Sequence, residues 1–364
     1  MAVSVVATAN GLPDPASSHN RPDQMAHSTK SGSPKRYDVY GLGNALVDLE
    51  YSVDDAYLRD MALAKGHMTL VDESRIDALA ASLDEHEPKR RAGGSAANTV
   101  FAVHAFGGRC AYSCRVAEDD LGRFFLEEFG NTGVATVGTR DGQGRSGRCL
   151  TLITADAERT MTTFLGASAE LGTQDLDEAA IAGSAYFYVE GYLASSESGR
   201  EAAVEARQIA ELGRGRTSLS LADPSMVINF RDGLIDMLGN GVDQLFCNEE
   251  EALTWAGTDR LDIAVAELGD IAPFLNITLG ARGSLAVAKG RGQFAPGFPS
   301  QAVDTTGAGD IYAGAALHAR VNGAEPSAAA GFANFAAAEL VARHGARLDH
   351  VADYVQIKAR YQAP

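Results

Sequence analysis

The chain lacks several features that would place it in common protein classes. Its 364 residues include only four cysteines and one tryptophan, and no run approaches the roughly 18 apolar residues of a membrane span. The formal net charge of −17 argues against nucleic acid or an anionic membrane as the main partner. None of the cysteines forms a C-x-x-C pair, which disfavours a disulfide framework or a zinc site. Because no signal peptide is recognisable, we expect a cytoplasmic protein.

What the chain does have is enough apolar sequence for a large core. Hydrophobic residues make up 45% of it. Residues 1–36 are rich in Ser, Pro, Ala and His without periodicity, which is typical of a disordered tail. Between residues 37 and 362 no linker divides the chain, and strand patterns alternate with helix patterns. This alternation predicts an α/β fold with a mainly parallel sheet and helices on both faces.

Hydrophobic periodicity locates the elements of this fold. We expect strands at 37–43, 49–53, 110–116, 148–154, 160–164, 185–189, 217–222 and 244–247, a further strand that ends near 279, and two short antiparallel strands after 284. We expect helices at 95–106, 120–131, 197–212, 227–238 and 249–256, and long Ala-rich helices near the carboxyl terminus. The second and third of these strands are separated by the first helix, while 148–154 and 160–164 predict a hairpin.

The most informative segment is residues 304–310, Asp-Thr-Thr-Gly-Ala-Gly-Asp, which leads into a helical pattern. The first N–H groups of a helix have no intrahelical partner and carry partial positive charge. Gly307, Ala308 and Gly309 have little or no side chain to keep a phosphate from those groups. Asp310 follows them directly. The segment therefore predicts phosphate chemistry beside a positioned carboxylate.

Two earlier segments are candidates for binding a small polar ligand. Gly93 and Gly94 precede a helical pattern and permit close backbone approach, and Asn98 in its first turn offers a donor and acceptors. A tight turn capped by Ser95 explains the same residues. Asp48 closes the Gly-Leu-Gly-Asn44-Ala-Leu-Val-Asp48 segment after the first strand, where ligands bind in α/β sheets, although a turn acid would also fit.

Two later segments follow strands in the regular half of the chain. Asn248 and Glu251 begin a helix after the 244–247 strand, where acids also complement the helix dipole. Thr278, Gly280 and Gly283 end another strand and fit either a phosphate or ribose contact or a simple turn. Other phosphate motifs are excluded, since no Gly-Lys-Ser/Thr occurs and the Gly-rich 142–147 segment precedes a strand instead of a helix.

Taken in this order, these segments resemble the signatures of the ribokinase-like (PfkB) carbohydrate and nucleoside kinase family. The resemblance covers residues 37 to about 360. The 44–48 and 93–98 segments, together with Ala333-Asn334 and Arg343-His-Gly345, are most similar to the adenosine kinase branch found in bacteria. It implies a three-layer α/β/α domain with a small β-sheet lid, for which segments of about 49–71 and 139–167 would form hairpins.

The resemblance also implies roles for individual residues. Asp310 would take the proton from an acceptor hydroxyl, and the backbone N–H groups of residues 307–310 would form an anion hole. Arg159 would be a lid arginine that meets the transferring phosphate. The acceptor-binding positions would be Asn44, Asp48, Gly93, Gly94 and Asn98, and the nucleotide-binding positions Asn248, Thr278, Gly280, Gly283 and Asn334. Glu251 would hold Mg²⁺ through water.

The implied activity is transfer of a phosphoryl group from ATP to a primary hydroxyl, with the 5′-hydroxyl of adenosine as the expected acceptor. The stretch at 222–227, Ala-Asp-Pro-Ser-Met-Val, lacks the Asp-x-Asn-x-Arg run of many sugar kinases in the family, which favours a nucleoside. A fructokinase- or ribokinase-type sugar kinase and a non-catalytic nucleoside sensor remain alternatives. Activation by a monovalent cation near Asp304 and Thr306 is open, as is the choice between monomer and homodimer.

Overall fold

The computed structural model describes residues 35–66, 68–83, 87–156 and 158–362. Residues 1–34 of the expected tail lie outside the described residues. The described strands are β1 (Tyr37–Leu42), β2 (Leu46–Ser52), β3 (Met68–Leu70), β4 (Lys89–Gly93), β5 (Cys110–Ala117), β6 (Ala135–Gly142), β7 (Gly147–Ile153), β8 (Arg159–Phe164), β9 (Ser184–Glu190), β10 (Arg216–Ser220), β11 (Gln244–Asn248), β12 (Phe274–Thr278), β13 (Gly283–Ala288) and β14 (Arg291–Pro296).

The described α-helices lie between these strands and at the carboxyl-terminal end. They are α1 (Asp55–Asp60), α2 (Glu73–Ser82), α3 (Ser95–Ala105), α4 (Asp120–Gly130), α5 (Glu178–Ala182), α6 (Glu197–Leu212), α7 (Pro224–Asn229), α8 (Arg231–Leu238), α9 (Glu249–Ala256), α10 (Leu261–Ile271), α11 (Ala308–Val321), α12 (Pro326–Val341) and α13 (Val351–Arg360). None of them combines the length and the apolar composition that crossing a membrane requires.

The large sheet has nine strands in the order β14-β13-β12-β11-β10-β9-β1-β5-β6. The strands from β12 to β6 are parallel, and β13 and β14 add an antiparallel edge. Side chains alternate across β1, so that Val39 belongs to one buried cluster and Tyr40 and Leu42 to the other. The first cluster includes α3, α11 and α12, and the second includes α6, α8, α9 and α10. The three-layer α/β/α prediction is confirmed.

Helices α3 and α11 cross closely because of a glycine. A Cβ at Gly314 on α11 would lie 2.6 Å from Ala102 Cβ and 2.7 Å from the Thr99 carbonyl oxygen on α3. Any larger residue would therefore push the two helices apart. This contact fixes the amino-terminal ends of α3 and α11 relative to each other.

The small sheet has five strands in the order β3-β8-β7-β2-β4. The predicted hairpin of β7 and β8 is confirmed, with Arg148 opposite Phe164. The hairpin expected over 49–71 is wrong, because β2 pairs with β4 and β7, whereas β3 pairs with β8. Helix α1 lies between β2 and β3 and is capped by Asp54, whose side chain accepts from Tyr57 N. A polar cap of this kind overrides the weak strand pattern of the segment.

Several other boundaries differ from the sequence prediction. The second strand begins at Leu46, so Asp48 lies within β2 and is not in a turn. The helix expected over 227–238 is divided at Phe230, whose φ of −131° ends α7 and precedes α8. The helices predicted at 197–212 and 249–256 are confirmed as α6 and α9.

Candidate active site

Helix α11 begins in a conformation that only a glycine adopts without strain. Its N-cap residue, Gly307, has a φ of 74°, and a Cβ there would collide with the Ala346 carbonyl group. No side chain among the described residues caps this end of the helix. At Gly309, no described atom beyond its chain neighbours and the backbone of its own helix lies within 4 Å of where a Cβ would be. The first turn of α11 therefore presents backbone N–H groups to open space.

The Asp310 carboxylate is positioned by the amino-terminal end of α3. Its Oδ1 accepts a hydrogen bond from Ser95 Oγ at 2.7 Å, and its Oδ2 accepts one from Asn98 Nδ2 at 3.1 Å. Burial raises the pKa of Asp310 to about 6, and the two hydrogen bonds oppose that rise. At pH 7 the carboxylate is therefore mostly ionised but more basic than an ordinary aspartate. Sequence reasoning assigned Ser95 only as a turn cap.

Positions 93 and 94 have no room for a side chain, because Asp48 on β2 and Asn44 in the loop after β1 lie very close to them. A Cβ at Gly93 would overlap the Asp48 carboxylate, and one at Gly94 would overlap the Asn44 carbonyl oxygen. Gly94 also has a φ of 109°, which favours glycine. The structure thus brings together the predicted residues Asn44, Asp48, Gly93 and Gly94, with Asn98 one turn further along α3.

A buried acid that was not predicted from the sequence, Glu190, connects the loop after β1 to the first turn of α3. Glu190 ends β9 and is 1% exposed. Its Oε1 accepts from Asn44 N and Asn44 Nδ2, both at 2.8 Å, and its Oε2 accepts from Ala96 N at 2.6 Å. Burial raises the pKa of Glu190 to about 7. The signal that could have found it is its position, since it directly follows an apolar strand pattern at the carboxyl edge of a parallel sheet.

Asp48 faces a cleft beneath the small sheet. The cleft is lined by Asp48, Glu50, Arg91, Asn98, Thr151, Arg159, Met161, Thr306 and Arg347, together with Ala92 and Ala346. Burial raises the pKa of Asp48 to about 7, although the positive charges of Arg347 and Arg159 lower it. We call this cleft, with the Asp310 carboxylate, the small-sheet side of the site. Glu50, Arg91 and Arg347 were not singled out from the sequence.

Arg159 on β8 belongs to this cleft and already has acidic partners. Its Nη2 lies 2.7 Å from Asp304 Oδ2, and its Nη1 lies 3.5 Å from Glu50 Oε1. Asp304 also accepts hydrogen bonds from Thr306 N at 3.0 Å and Gly345 N at 2.6 Å. The Asp304 carboxylate is thus held by two backbone amides and by an ion pair with Arg159.

The predicted residues at the ends of β11 and β12 form a second group, the strand-end side of the site. Asn248 and Glu251 make a capping box at the start of α9: Asn248 Oδ1 accepts from Glu251 N at 2.7 Å, and Glu251 Oε2 accepts from Asn248 N at 3.1 Å. Asn248 Nδ2 donates to Glu251 Oε1 at 2.6 Å. Burial raises the pKa of Glu251 to about 7, and the charges of Asp223 and Glu250 add to the rise.

The remaining predicted nucleotide-binding residues lie near this group. Thr278 pairs with Asn248 across β11 and β12. Gly280 has a φ of 61° and open space around it, whereas a Cβ at Gly283 would overlap the Ala295 carbonyl oxygen and the Gly297 nitrogen. Asn334 on α12 donates to the carbonyl oxygens of Ala295 and Pro296, at 2.9 and 3.2 Å. Gly283 and Asn334 therefore support the edge strands, and Gly280 is the open position.

The family model and the similar proteins all indicate a kinase of the pfkB family. The family model described as "pfkB family carbohydrate kinase" matches residues 66–352. An adenosine kinase of Saccharomyces cerevisiae is 29% identical over 75% of this chain and 85% of its own length. The crystal structure of adenosine kinase from Sinorhizobium meliloti is 32% identical, with a TM-score of 0.83 over 89% of this chain and 99% of that one. A probable sugar kinase from Rhizobium etli is 29% identical, with the same TM-score and coverage.

The match to the family model spans most of the folded sequence and includes both the 93–98 and the 304–310 segments. The arrangement of Asp310, the first turn of α11 and a polar cleft suits transfer of a phosphoryl group to a hydroxyl. Kinases of this kind use ATP as the phosphoryl donor. The chain belongs to the pfkB family of carbohydrate kinases.

Proposed function

We propose that this protein phosphorylates the 5′-hydroxyl of adenosine with Mg²⁺ and ATP, producing AMP. The observation that carries the proposal is the Asp310 carboxylate, which lies at the open amino-terminal end of α11 and is oriented by Ser95 and Asn98. The similarity to adenosine kinases from a yeast and a bacterium supports the choice of acceptor.

Asp310 acts as the general base in this proposal. A primary alcohol is a poor acid, so its proton leaves as the new bond from oxygen to phosphorus forms. With a pKa of about 6, the Asp310 carboxylate is ionised at neutral pH and is a better proton acceptor than an ordinary aspartate. Ser95 and Asn98 hold both of its oxygens in place, which limits the side-chain reorganisation that the reaction needs.

The first turn of α11 stabilises the negative charge of the transferred group. The N–H groups of residues 307–310 belong to a helix end that no described side chain caps, and Gly309 leaves room in front of it. Preorganised N–H donors and the helix dipole are effective where water is excluded. Arg159 is a further candidate phosphate contact, and to reach a phosphate it has to leave Asp304 and Glu50.

The acceptor occupies the small-sheet side of the site. Asp48 accepts hydrogen bonds from sugar hydroxyls, and Asn98, with the Gly93-Gly94 backbone, completes the sugar contacts. Glu190 positions Asn44 and the start of α3 through hydrogen bonds from Asn44 N and Ala96 N. The small sheet acts as the lid, whose closure excludes water and limits hydrolysis of ATP.

ATP occupies the strand-end side, next to Asn248, Thr278, Gly280, Gly283 and Asn334. The residues there fit a magnesium ion held through water, because Glu251 lies close enough to Asp223 and Glu250 for their charges to repel its own, and a nearby cation would relieve that repulsion. No group of three or more potential metal ligands is present in the described part of the chain. When bound, Mg²⁺ neutralises phosphate charge.

A sugar kinase of the same family is the second candidate. The probable sugar kinase from Rhizobium etli is as similar in structure as the bacterial adenosine kinase, with a TM-score of 0.83 for both. The same Asp310 and α11 arrangement would serve either acceptor. The difference therefore lies in which molecule the small-sheet side accepts.

The test is a measurement of ADP release by the purified protein with Mg²⁺ and ATP. The acceptors are adenosine, inosine, guanosine, cytidine, ribose and fructose. Asp310→Asn runs in parallel, and we expect its turnover to fall roughly 10²- to 10⁴-fold because the general base is lost. Asp72→Asn is the matched control, since Asp72 caps α2 outside the site and Asn is an equally good cap.

Each outcome decides a separate part of the proposal. Adenosine-dependent ADP release that is lost in Asp310→Asn supports both acceptor and mechanism. A response to sugars alone replaces the acceptor and keeps the mechanism. Turnover by Asp310→Asn within a few-fold of wild type overturns the role of Asp310, provided that both proteins have the same circular dichroism spectrum.

A further inference from the structure

Arg347 is a buried arginine that the proposed reaction does not use. It follows α12 in the loop of residues 343–348 and is 7% exposed. Buried arginines normally have all of their N–H groups paired, because an unpaired buried donor is costly. In Arg347, Nη1 has no hydrogen-bond partner among the described residues.

The rest of the guanidinium is firmly held. Glu128 on α4 accepts a hydrogen bond from Arg347 Nη2 through its Oε1, and its Oε2 accepts from Ala92 N at 2.8 Å. The guanidinium carbon of Arg347 also lies 4.9 Å from the centre of the Phe101 ring on α3. The ion pair with Glu128 thus fixes one edge of the guanidinium and the Phe101 ring fixes one face, while Nη1 has no hydrogen-bond partner among the described residues.

The loop that carries Arg347 is fixed as well. Gly345 N donates to Asp304 Oδ2 at 2.6 Å, and Leu348 N donates to Tyr354 Oη at 3.2 Å. Between them, the Ala346 carbonyl group packs against Gly307, the N-cap of α11. The position of Arg347 is therefore tied to the loop that forms the start of α11, so its geometry is built into the site.

Arg347 shares its cleft with the residues proposed to bind the sugar. Arg347, Asp48 and Asn98 all line the cleft beneath the small sheet. Asn98 is 6% exposed, its Nδ2 is committed to Asp310, and its Oδ1 has no partner in the described part of the protein. Asn98 Oδ1 and Arg347 Nη1 are thus a buried acceptor and a buried donor that the described part of the protein leaves unsatisfied in this cleft, where Arg91 Nε and Arg159 Nε also lack a hydrogen-bond partner. A hydroxyl group satisfies both kinds at once, because it donates one hydrogen bond and accepts others.

We propose that Arg347 is an acceptor-binding residue, whose Nη1 donates a hydrogen bond to a hydroxyl of the acceptor's sugar ring next to Asp48. The ligand class is a ribose or another sugar with vicinal hydroxyls, and Glu128 is the positioning residue that orients the guanidinium. The proposal rests on the proposed function in one respect, namely that the acceptor binds on the small-sheet side.

The test combines Arg347→Gln and Arg347→Lys with acceptors that lack one hydroxyl. Michaelis constants for acceptor and ATP, and dissociation constants for acceptor alone, are measured with adenosine, 2′-deoxyadenosine and 3′-deoxyadenosine. Arg347→Lys keeps the positive charge opposite Glu128 but lacks the forked guanidinium, so it serves if Arg347→Gln fails to fold. Arg343→Gln is the matched control, because Arg343 lies in the same loop with its side chain 46% exposed.

We expect both Arg347 variants to bind adenosine roughly 10- to 100-fold more weakly, with the Michaelis constant for ATP unchanged, because a hydrogen bond from a charged donor is lost. Removal of the contacted hydroxyl should then weaken binding less in the variants than in wild type, for one of the two deoxynucleosides and not for the other. Such coupling between a side chain and a ligand group indicates direct contact.

Two results would overturn the proposal. One is unchanged affinity for adenosine in Arg347→Lys. The other is an equal loss for adenosine and both deoxynucleosides, because a purely structural role affects all three alike. If wild type uses only fructose or ribose, the adenosine assignment fails separately, and the same cycle with deoxy forms of that sugar decides the role of Arg347.

Discussion

On the small-sheet side of the site, Asn98 and Arg347 keep polar atoms without a partner in the described part of the chain, whereas on the strand-end side Asn248, Glu251 and Asn334 bond to one another or to the backbone. All five are polar and largely or partly buried. They differ in whether folding alone completes their hydrogen bonds. A buried polar atom that has no hydrogen-bond partner in the folded protein contributes the most binding free energy when a ligand supplies that partner.

We therefore propose that the two sides recognise their ligands by different means. On the small-sheet side, side chains would make the contacts with the ligand. On the strand-end side the polar side chains stabilise turns and helix ends, and the open positions are at glycines such as Gly280. Substitutions on the small-sheet side should consequently change acceptor kinetics, and those on the strand-end side should first change stability.

The largest effect is expected for Gly283→Ala, which should lower the free energy of unfolding by about 3 kcal/mol or more. Gly283 has a φ of 115°, and a Cβ there would overlap the backbone of Ala295 and Gly297. The measurement is denaturant unfolding. The matched variant is Gly280→Ala, which meets no such neighbour and should cost only about 1 kcal/mol, from its positive φ.

Gly280→Ala also tests the ligand assignment of the strand-end side. If ATP lies against Gly280, the added methyl group raises the Michaelis constant for ATP and leaves that of the acceptor unchanged. An unchanged constant for ATP in a folded Gly280→Ala protein would remove Gly280 from the nucleotide site. Equal stability of the two variants would contradict the structural role of Gly283.

A smaller effect is expected for Asp48→Asn on the small-sheet side. The Michaelis constant for the acceptor should rise roughly 10- to 100-fold, because a charged hydrogen-bond acceptor for hydroxyls is lost. Stability should hold or increase, since burial disfavours the charge of Asp48 and raises its pKa to about 7. The control is Asp55→Asn, an exposed acid on α1 whose ion pair with Lys65 contributes little. Unchanged acceptor kinetics in Asp48→Asn would break the comparison between the two sides.

The smallest effect that we expect is on the pH dependence of the free energy of unfolding. Glu190 has a pKa of about 7 in the folded protein, well above the ordinary value of 4.5. Between these values the folded state keeps a proton that the unfolded state has released, so the contribution of Glu190 to stability falls as pH rises from about 5 to 8. Asp48, Glu251 and Asp310 act in the same sense. His318, with its pKa lowered to about 4, opposes them below pH 6.5.

Glu190→Gln isolates one part of this pH dependence. Glutamine does not titrate, so the melting temperature of the variant should fall less than that of wild type between pH 5 and pH 8, by roughly 3 °C. The comparison of slopes matters here, because the amide also changes the hydrogen bonds to Asn44 and Ala96 at every pH. Parallel curves for the two proteins would mean that Glu190 is not the titrating group.

Much of this arrangement is readable from the sequence because local patterns specify it. The Gly307-Ala308-Gly309-Asp310 run requires a glycine N-cap and an open first turn, and both are present. The period of apolar residues located α6 and α9 accurately. The alternation of strand and helix patterns also predicted the parallel sheet, since such a chain has few other ways to bury both faces of its sheet.

What the sequence did not reveal depends on distant contacts. Glu190 is an isolated acid whose partners lie about a hundred residues or more away, so no short motif identifies it. β4 begins with Lys89 and Arg90, both polar enough to suggest a loop, and becomes a strand because β2 pairs with it. Arg347 lies in no recognisable motif, and its partners Glu128 and Phe101 lie on α4 and α3, far from it in the sequence.

The close crossing of α3 and α11 at Gly314 has a consequence for how such enzymes diversify. The two helices together carry Ser95, Asn98 and Asp310, whereas Asp48 and Arg159 lie on β2 and β8 of the small sheet. Mutations in the strands of the small sheet other than β4 can therefore accumulate while Ser95 and Asn98 keep the Asp310 carboxylate in place. If Asp310 is the general base as proposed, changes confined to those strands could replace one acceptor by another and leave the chemistry of transfer as it is.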